Sequence, residues 1–362
     1  MKSRNEHRFE KKFRSLQGLY LWFSDVLKDR AKLPLFKKLI YIKNGFLPIY
    51  CTLYDFNRFS MKSYLDDRKR RTSIRNLYFG YGDIIDNKIA FSTLISKYAK
   101  VPALYCHIRN KSIIELENSK VNSFDCLITL LKRIENKCVV IKPVASGCGR
   151  GVFIIKYLPS EGFYINNNSI DIDELQNTII NLEDYFVSEF IEQGLFAKNI
   201  FSRTANTIRF QTMVDPDTNK AFIARAFHRF GRESSFPVDN GRAGGIISAI
   251  NVDTGELVLA CTRGEREYVY IEKHPDTDMA LVGVTVPCWE KIVASVLDLA
   301  NSVNYLVYLA WDVIAMDDGQ IIILEGNNQP DMYALQMVEP LLVDDRICRF
   351  YHHHGIIKTA SV

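Results

Sequence analysis

The sequence predicts an α+β protein made mainly of antiparallel hairpins with helices on one face. Three observations carry that expectation. Alternating strand-like runs come in pairs, each broken by a tight-turn sequence: Pro-Asp at 216–217, Asp-Thr-Gly at 253–255 and Asp-Asp-Gly at 317–319. Helical spacing recurs in 86–100, 123–137 and 287–303. No segment repeats and none is of low complexity, which excludes solenoids and tail-like regions.

The elements follow in order. Residues 1–80 read as helices interrupted at Pro34 and at "NGFLP". Within them Phe9, Phe13, Leu16, Tyr20, Phe23 and Leu27 recur at helical spacing, with basic residues between, and this stripe is expected to dock on the core. A helix over 86–100, a strand "VPALYCHI" and a helix over 123–137 come next. "CVVIKPV" and "VFIIKYL" make a hairpin around the glycine-rich "ASGCGRG", and "NLEDYFVSEFIEQG" ends in a strand. Two alternating strands flank the Pro-Asp turn, "GGIISAINVDTGELVLACTRG" forms another hairpin, and 287–303 is a helix. The final hairpin is "AWDVIAMDDGQIIILEGNNQPD".

A chain of 362 residues, 47% apolar and 24% charged, fits a globular protein of two or three subdomains. The eight cysteines, Cys51, Cys106, Cys126, Cys138, Cys148, Cys261, Cys288 and Cys348, include no CxxC pair and read as reduced thiols of a cytoplasmic protein. "MKSRNEHRFEKKF" lacks the apolar core of a signal peptide, and no uncharged run nears the ~20 residues of a membrane span. The net charge of +4 is uneven: residues 1–80 hold 19 Lys/Arg against 7 Asp/Glu, so +12, leaving −8 for the other 282. A basic segment of this kind is either a solvated helical face or a contact for a membrane surface, a biosynthetic complex or an anionic substrate. Nucleic acid is not expected, because interleaved aromatic-basic platforms are absent.

Three pieces carry chemistry. In "VVIKPVASGCGRGVFII", Gly147, Gly149 and Gly151 let main-chain N–H groups approach a ligand, as a phosphate cradle requires. The loop leads into a strand, so it is neither a P-loop nor a dinucleotide fingerprint. Lys142, inside an apolar strand, needs an anion more than a surface lysine does. In "YFVSEFIEQG" the strand exit at Glu189, Phe190, Ile191 and Glu192 could pair with a base edge and a ribose, or be an ordinary strand end. In the last hairpin Glu325 and Asn327 share a strand face and Asp312 comes from the partner strand. Three oxygen donors arranged so suit a hard divalent cation.

Asn87–Lys88 leading a helix, Lys142 with its glycine loop, the "EFIE" stretch and the terminal Asp…Glu-x-Asn together resemble the ATP-grasp superfamily. Within it, "GFLPIYCTLYDFN", "ANTIRFQT", "AFHRFG" and "GRAGGIISAINVDTGEL" are similar to its sugar-transfer-associated group, over roughly residues 45–335. The resemblance implies a basic helical region 1–85, a small subdomain 86–188 with the glycine loop and a large subdomain 189–362 with the metal site. It implies ATP clamped between the two. Lys88 and Lys142 would contact phosphates, Ser146 to Gly151 would close over them, Glu189 to Ile191 would meet adenine and Glu192 the ribose. Asp312, Glu325 and Asn327 would hold one or two Mg²⁺, with Mn²⁺ an alternative. The activity implied is a carboxylate-amine ligase working through an acyl phosphate, joining amino acid to sugar in surface polysaccharide synthesis. A kinase-like phosphotransferase and a non-catalytic nucleotide-binding module are the alternatives. Many ligases of the superfamily carry an arginine two residues before the metal-binding aspartate, where this chain has Ala310. Arg209, Arg225 and Arg229 are the candidates to replace it as catalytic cations, Arg225 and Arg229 sharing one strand face. His228, of opposite parity, reads as a packed histidine. "VDNGRAGG" (238–245) reads either as a mobile cover bringing Asp239, Asn240 and Arg242 to the acceptor or as a plain surface loop.

Overall fold

Two seven-stranded sheets organise the chain, every strand pairing among the described residues being antiparallel. The computed structural model describes residues 4–358 except 79 and 148. The first three residues of the basic segment and Cys148 of the glycine-rich loop therefore lie outside the described residues.

The chain opens with helices α1 (Arg4–Lys28) and α2 (Leu35–Lys43), with Pro34 at the N-cap of α2 and Asn44 after its end. α3 (Asp67–Thr72) starts where the Asp66 carboxylate accepts the Lys69 N–H. α4 (Gly82–Asp86) runs into α5 (Lys88–Ile95), which is capped by Asn87 accepting from the Ala90 N–H. Phe46, Leu65, Ile74 and Phe91 from this region share one core with Ile208, Phe210, Trp311 and Tyr333, so the helical region packs on the second sheet rather than standing apart. One expectation is overturned here. The α1 stripe does not dock: Phe9, Phe13, Leu16, Tyr20, Phe23 and Leu27 are all exposed. The helix binds the body through its other face. The Ser15 hydroxyl donates to the Thr72 carbonyl at 3.0 Å, the Trp22 indole donates to the Gly45 carbonyl at 3.0 Å, and Arg71 pairs with Asp25 at 2.7 Å.

The first sheet holds β1 (Leu104–Arg109), β2 (Ser112–Glu115), β3 (Cys138–Pro143), β4 (Phe153–Leu158), β5 (Gly162–Ile165), β6 (Asn168–Ile170) and β7 (Tyr185–Glu189), in the order β2-β1-β7-β3-β4-β5-β6. Helices α6 (Phe124–Arg133) and α7 (Ile172–Ile180) lay Leu127, Leu131, Leu175 and Ile179 on Val139, Ile141, Ile155 and Val187. The β3–β4 hairpin is local, but β7 inserts between β1 and β3 with Val139 opposite Glu189 and Lys142 opposite Phe186. That non-local pairing sets the glycine loop, the lysine and the β7 exit side by side.

After α8 (Leu195–Ile200), the second sheet comprises β8 (Ile208–Val214), β9 (Ala221–Phe230), β10 (Ile246–Ile250), β11 (Leu257–Arg263), β12 (Tyr268–Ile271), β13 (Tyr308–Ala315) and β14 (Ile321–Asn327). Its order is β12-β11-β10-β9-β8-β13-β14. α9 (Trp289–Ser302) buries Ile292, Val296 and Leu299 in its core, and α10 (Met332–Leu335) and α11 (Asp345–His353) close the chain. The register places Asp312 directly across from Arg209 on one side and from Glu325 on the other. The seven described cysteines are free thiols, and Cys51, Cys106, Cys138 and Cys261 are buried. No helix among the described residues is long and apolar enough to cross a membrane.

Candidate active site

A cavity of about 320 Å³ lies between the two sheets, and most of the chemistry-bearing residues meet on its walls. From the first sheet come Lys142, Ser146, Gly147, Gly149 and the exit of β7, Glu189, Phe190 and Ile191, with Val140, Val152 and Ile154 as apolar wall. Lys88 enters from the first turn of α5. From the second sheet come Arg209, Arg229, Asp312, Glu325 and Asn327, with Ile314 and Leu324 as apolar wall.

On the first wall one lysine stands without a counter-ion. Lys142 makes no ion pair among the described residues; its ammonium lies 5.3 Å from the Phe186 ring centre. Burial is the main cause that pulls its pKa down to about 8; Lys88 adds to it, while Glu325 and Asp312 oppose it. The Lys88 ammonium donates to the Ser146 carbonyl at 2.6 Å and stands 3.4 Å from the Glu325 carboxylate, tying the glycine loop to the second wall. Gly149 adopts φ +68°, and a Cβ there would come within 2.5 Å of Val238, so only glycine lets this loop meet the 238–245 segment. At the β7 exit, the Glu189 carboxylate accepts the Ala103 N–H at 3.1 Å and the Phe190 carbonyl accepts from the Asn136 amide at 3.1 Å. Among the described residues the Ile191 main chain, two residues past the end of β7, makes no hydrogen bond and lies beside an apolar wall.

The second wall is densely paired. Arg209 donates from Nε and Nη2 to the two oxygens of Asp312, both at 2.6 Å, and Arg229 Nη2 donates to Asp312 Oδ2 at 2.8 Å. Arg229 also donates to the Thr207 hydroxyl, which donates to Asp239 Oδ2 at 2.6 Å. Burial alone would raise the pKa of Asp312, but the two arginines outweigh it and hold the carboxyl well below its ordinary range. In return, Asp312 raises the already high pKa of Arg209 against the effect of burial. The expected three-donor metal set is thus only partly free. Glu325 and Asn327 face the cavity, whereas the Asp312 oxygens are taken up by guanidinium groups. The Asn327 Nδ2 is buried without a hydrogen-bond partner, an unfilled polar position beside Glu325. No cluster of three His, Cys, Asp or Glu suited to a metal occurs among the described residues, so an ion here would rely on the asparagine and on ligands it brings.

Three candidates lie outside the cavity lining. Arg225 shares the strand face of Arg229 but is four residues away along β9, roughly 13 Å at strand rise. There it pairs with Glu339 at 3.0 Å and Asp344 at 3.7 Å. Parity chose the right face and could not choose the distance. Glu192 lies past the β7 exit, mostly exposed, 3.7 Å from Lys198. Gly151 supports the loop from behind: with φ +74°, a Cβ would come within 2.5 Å of the Tyr185 hydroxyl. His228 is buried and stacked on Phe230 at 4.1 Å, and burial lowers its pKa to about 3. The 238–245 segment is anchored, with Asp239 buried on the Thr207 N–H and hydroxyl and Asn240 capping a short 3-10 turn over Gly241–Ala243.

The structure adds residues that motif reading passed over. Arg70 and Arg71 of α3 and Asp331 after β14 also line the cavity. Arg70 donates to the Gln329 and Pro330 carbonyls and pairs with Asp331 at 3.0 Å, and Arg242 meets the same carboxylate at 2.5 Å. Asp331 stood in the quoted "NNQPD" stretch; nothing in "DDRKRRT" marked Arg70, whose role depends on a contact spanning 261 residues.

A sequence profile described as sugar-transfer associated ATP-grasp matches residues 74–347. No curated protein sequence matches the chain. Similar solved structures include the VanG D-Ala:D-Ser ligase of Enterococcus faecalis, with 10% identity, TM-score 0.42, 75% of this chain and 62% of that one covered. The ADP complex of N5-carboxyaminoimidazole ribonucleotide synthetase gives 12% identity, TM-score 0.38 and coverage of 72% and 52%. The macrocyclase MdnC of Microcystis aeruginosa with its precursor peptide gives 11% identity, TM-score 0.37 and coverage of 74% and 60%. The chain spans less than two thirds of each of these three structures.

Proposed function

The chain belongs to the sugar-transfer associated ATP-grasp family, and from that premise we propose that it is an ATP-dependent carboxylate-amine ligase. The observation that carries this reading is the meeting, in one cavity, of a half-buried lysine without a counter-ion beside a glycine-rich loop and a preorganised pair of arginines from the opposite sheet. Lys142, Lys88 and the 146–151 loop hold the nucleotide phosphates, and the main chain at Ile191, just past β7, takes the base between the apolar walls. Glu325 and the Oδ1 of Asn327 would hold Mg²⁺, both being oxygen donors that line the cavity, while the orphaned Asn327 Nδ2, a donor, is left for a phosphate oxygen. Mg²⁺ supplies charge neutralisation on the phosphates when bound. Residues 86–188 and 189–362 are the two functional halves, with the 1–85 region capping the second.

The chemistry assigned to these residues runs in two stages. A carboxylate oxygen of the acceptor bonds to the γ-phosphorus while the bond from that phosphorus to the ADP oxygen breaks, giving an acyl phosphate and ADP. The amine nitrogen then bonds to the acyl carbon, the carbon–oxygen bond to phosphate breaks, and the amine gives up a proton to solvent. Arg209 and Arg229, fixed by Asp312 and Thr207, offer N–H groups to the charge that builds on the transferred phosphoryl and on the acyl oxygen. Arg70 and Arg242 around Asp331 give the far end of the cavity a polar subsite for an acceptor bearing its own charges. An amino acid joined to a sugar of a surface polysaccharide fits that subsite and the family description.

The test is a screen of amino acids with uronic-acid and amino sugars, measuring ADP release by purified protein. ADP and phosphate formed only when both acceptors are present, with an amide product by mass, is the expected result. A stable product heavier by one phosphate would replace the ligase with a phosphotransferase.

A further inference from the structure

Helices α1 and α2 carry apolar faces that the fold leaves uncovered. On α1, Phe9, Phe13, Leu16, Tyr20, Phe23 and Leu27 fall within an arc of roughly 80° at helical pitch and extend over about 27 Å. Their exposure runs from 54% at Phe13 to 74% at Tyr20. The helix cannot turn this stripe inward, because Ser15, Trp22 and Asp25 hold its other face to the body. Gly18 sits so close to the Arg71 carbonyl that any side chain there would force the helix away. α2 contains no buried residue at all, and its Leu35, Phe36, Leu39 and Ile40 also face outward. Exposed apolar area on this scale marks a contact surface.

We propose that α1 and α2 seat the protein on a bilayer surface bearing anionic lipid, both helices lying in the interface. Charge selects this occupant. Residues 4–43 hold eleven Lys and Arg against four Asp and Glu, while the chain beyond residue 80 is net negative. An anionic surface attracts this end of the molecule and repels the rest, which fixes one orientation. Phenylalanine, tyrosine and leucine on one face with lysine and arginine around it is the composition of an interfacial helix. The region lies on the bilayer rather than through it, as no described helix has the length and apolarity to span. A second copy of this chain is the poorer occupant. Pairing two such faces would bring two strongly cationic segments together, and a seam with aromatic residues at four of its six positions is not that of a Leu/Ile/Val coiled coil. The inference rests on this surface alone and is independent of the chemistry in the cavity.

The test is flotation of the full chain with vesicles of phosphatidylcholine alone or mixed with phosphatidylglycerol, at low and high salt. Binding to the mixed vesicles that weakens with salt is expected. Phe13→Ser with Tyr20→Ser should lower it by about tenfold or more, with Lys37→Glu and Lys38→Glu also lowering it. The circular dichroism spectrum of each variant should match that of the parent, since all four side chains are solvent-facing or nearly so. No flotation of folded protein with mixed vesicles overturns the proposal, as does flotation untouched by the Phe13/Tyr20 pair or equal on neutral vesicles. A dimer by sedimentation that the same pair abolishes, without vesicle binding, would assign the face to a second copy.

Discussion

The two walls of the cavity treat charge in opposite ways. On the first sheet Lys142 has an aromatic ring and no counter-ion, and its pKa is pulled down. On the second, Asp312 is met by two arginines through three short hydrogen bonds, and its pKa is held low. A buried charge without a partner is costly and persists where a ligand supplies one; a buried charge with all its partners is already organised before the ligand arrives. On the proposed reading the first wall receives an anion and the second presents cations to it.

The most damaging way to break this contrast is at Asp312. Asp312→Ala leaves the buried Arg209 guanidinium without a carboxylate and Arg229 with only Asp239 at 3.4 Å, and should destabilise the fold by about 3–5 kcal/mol, read from the midpoint and slope of denaturant unfolding. An unchanged midpoint would mean the arginines find other partners and the second wall is not preorganised. Next comes Glu325→Gln, which keeps shape and removes charge. ATP turnover should fall by about 100-fold or more with the thermal midpoint nearly unchanged, and turnover at the parental rate would remove Glu325 from the metal site.

Lys142 sharpens the contrast through pH. Bound phosphate favours the charged amine, whereas the empty site deprotonates near pH 8, so nucleotide affinity should fall as pH rises through about 8. Lys142→Ala should weaken binding by about tenfold at pH 7 and erase that step in a calorimetric titration series. Stability carries the opposite sign. Between about 8 and the ordinary lysine value the unfolded chain holds the proton and the folded site does not, so the parent gains stability with rising pH in that window. The alanine variant should lack the gain. The smallest effect belongs to Arg225→Ala, on the same sheet face beyond the cavity. It should leave turnover unchanged and cost about 1–2 kcal/mol, because Glu339 lies at the surface while Arg225 and Asp344 are largely covered. A large fall in turnover would bring it back into the site.

How much of this was readable without coordinates differs by region. Helices expected over 86–100, 123–137 and 287–303 run Lys88–Ile95, Phe124–Arg133 and Trp289–Ser302, shortened where the ends fray or turn. The hairpins after 208 stood out because each strand alternates and each turn carries Pro, Asp or Gly. Strands β2, β5, β6 and β12 are three or four residues long, too short for a period to show in the sequence. In the cavity, local pattern points to the glycine loop, Lys142 and the Asp312/Glu325 pair, whereas it points equally to Glu192 and Arg225, which lie outside the lining. The α1 stripe is the instructive failure. A helical period shows that an apolar face exists; it does not say which face the body grips, and here small and polar contacts at Ser15, Gly18 and Asp25 decided it.

By itself the sequence determined what short-range physics controls: strand and helix periods, turn chemistry, and the side-chain types able to bind phosphate or a hard cation. The tertiary structure decided what depends on long-range pairing. The insertion of β7 beside β3 and of β13 beside β8 brings Lys142, Arg209, Arg229 and Asp312 to one cavity and carries Arg225 past its edge. Residue type and parity are properties of a few neighbouring positions, while distance between strands is a property of the whole packed chain.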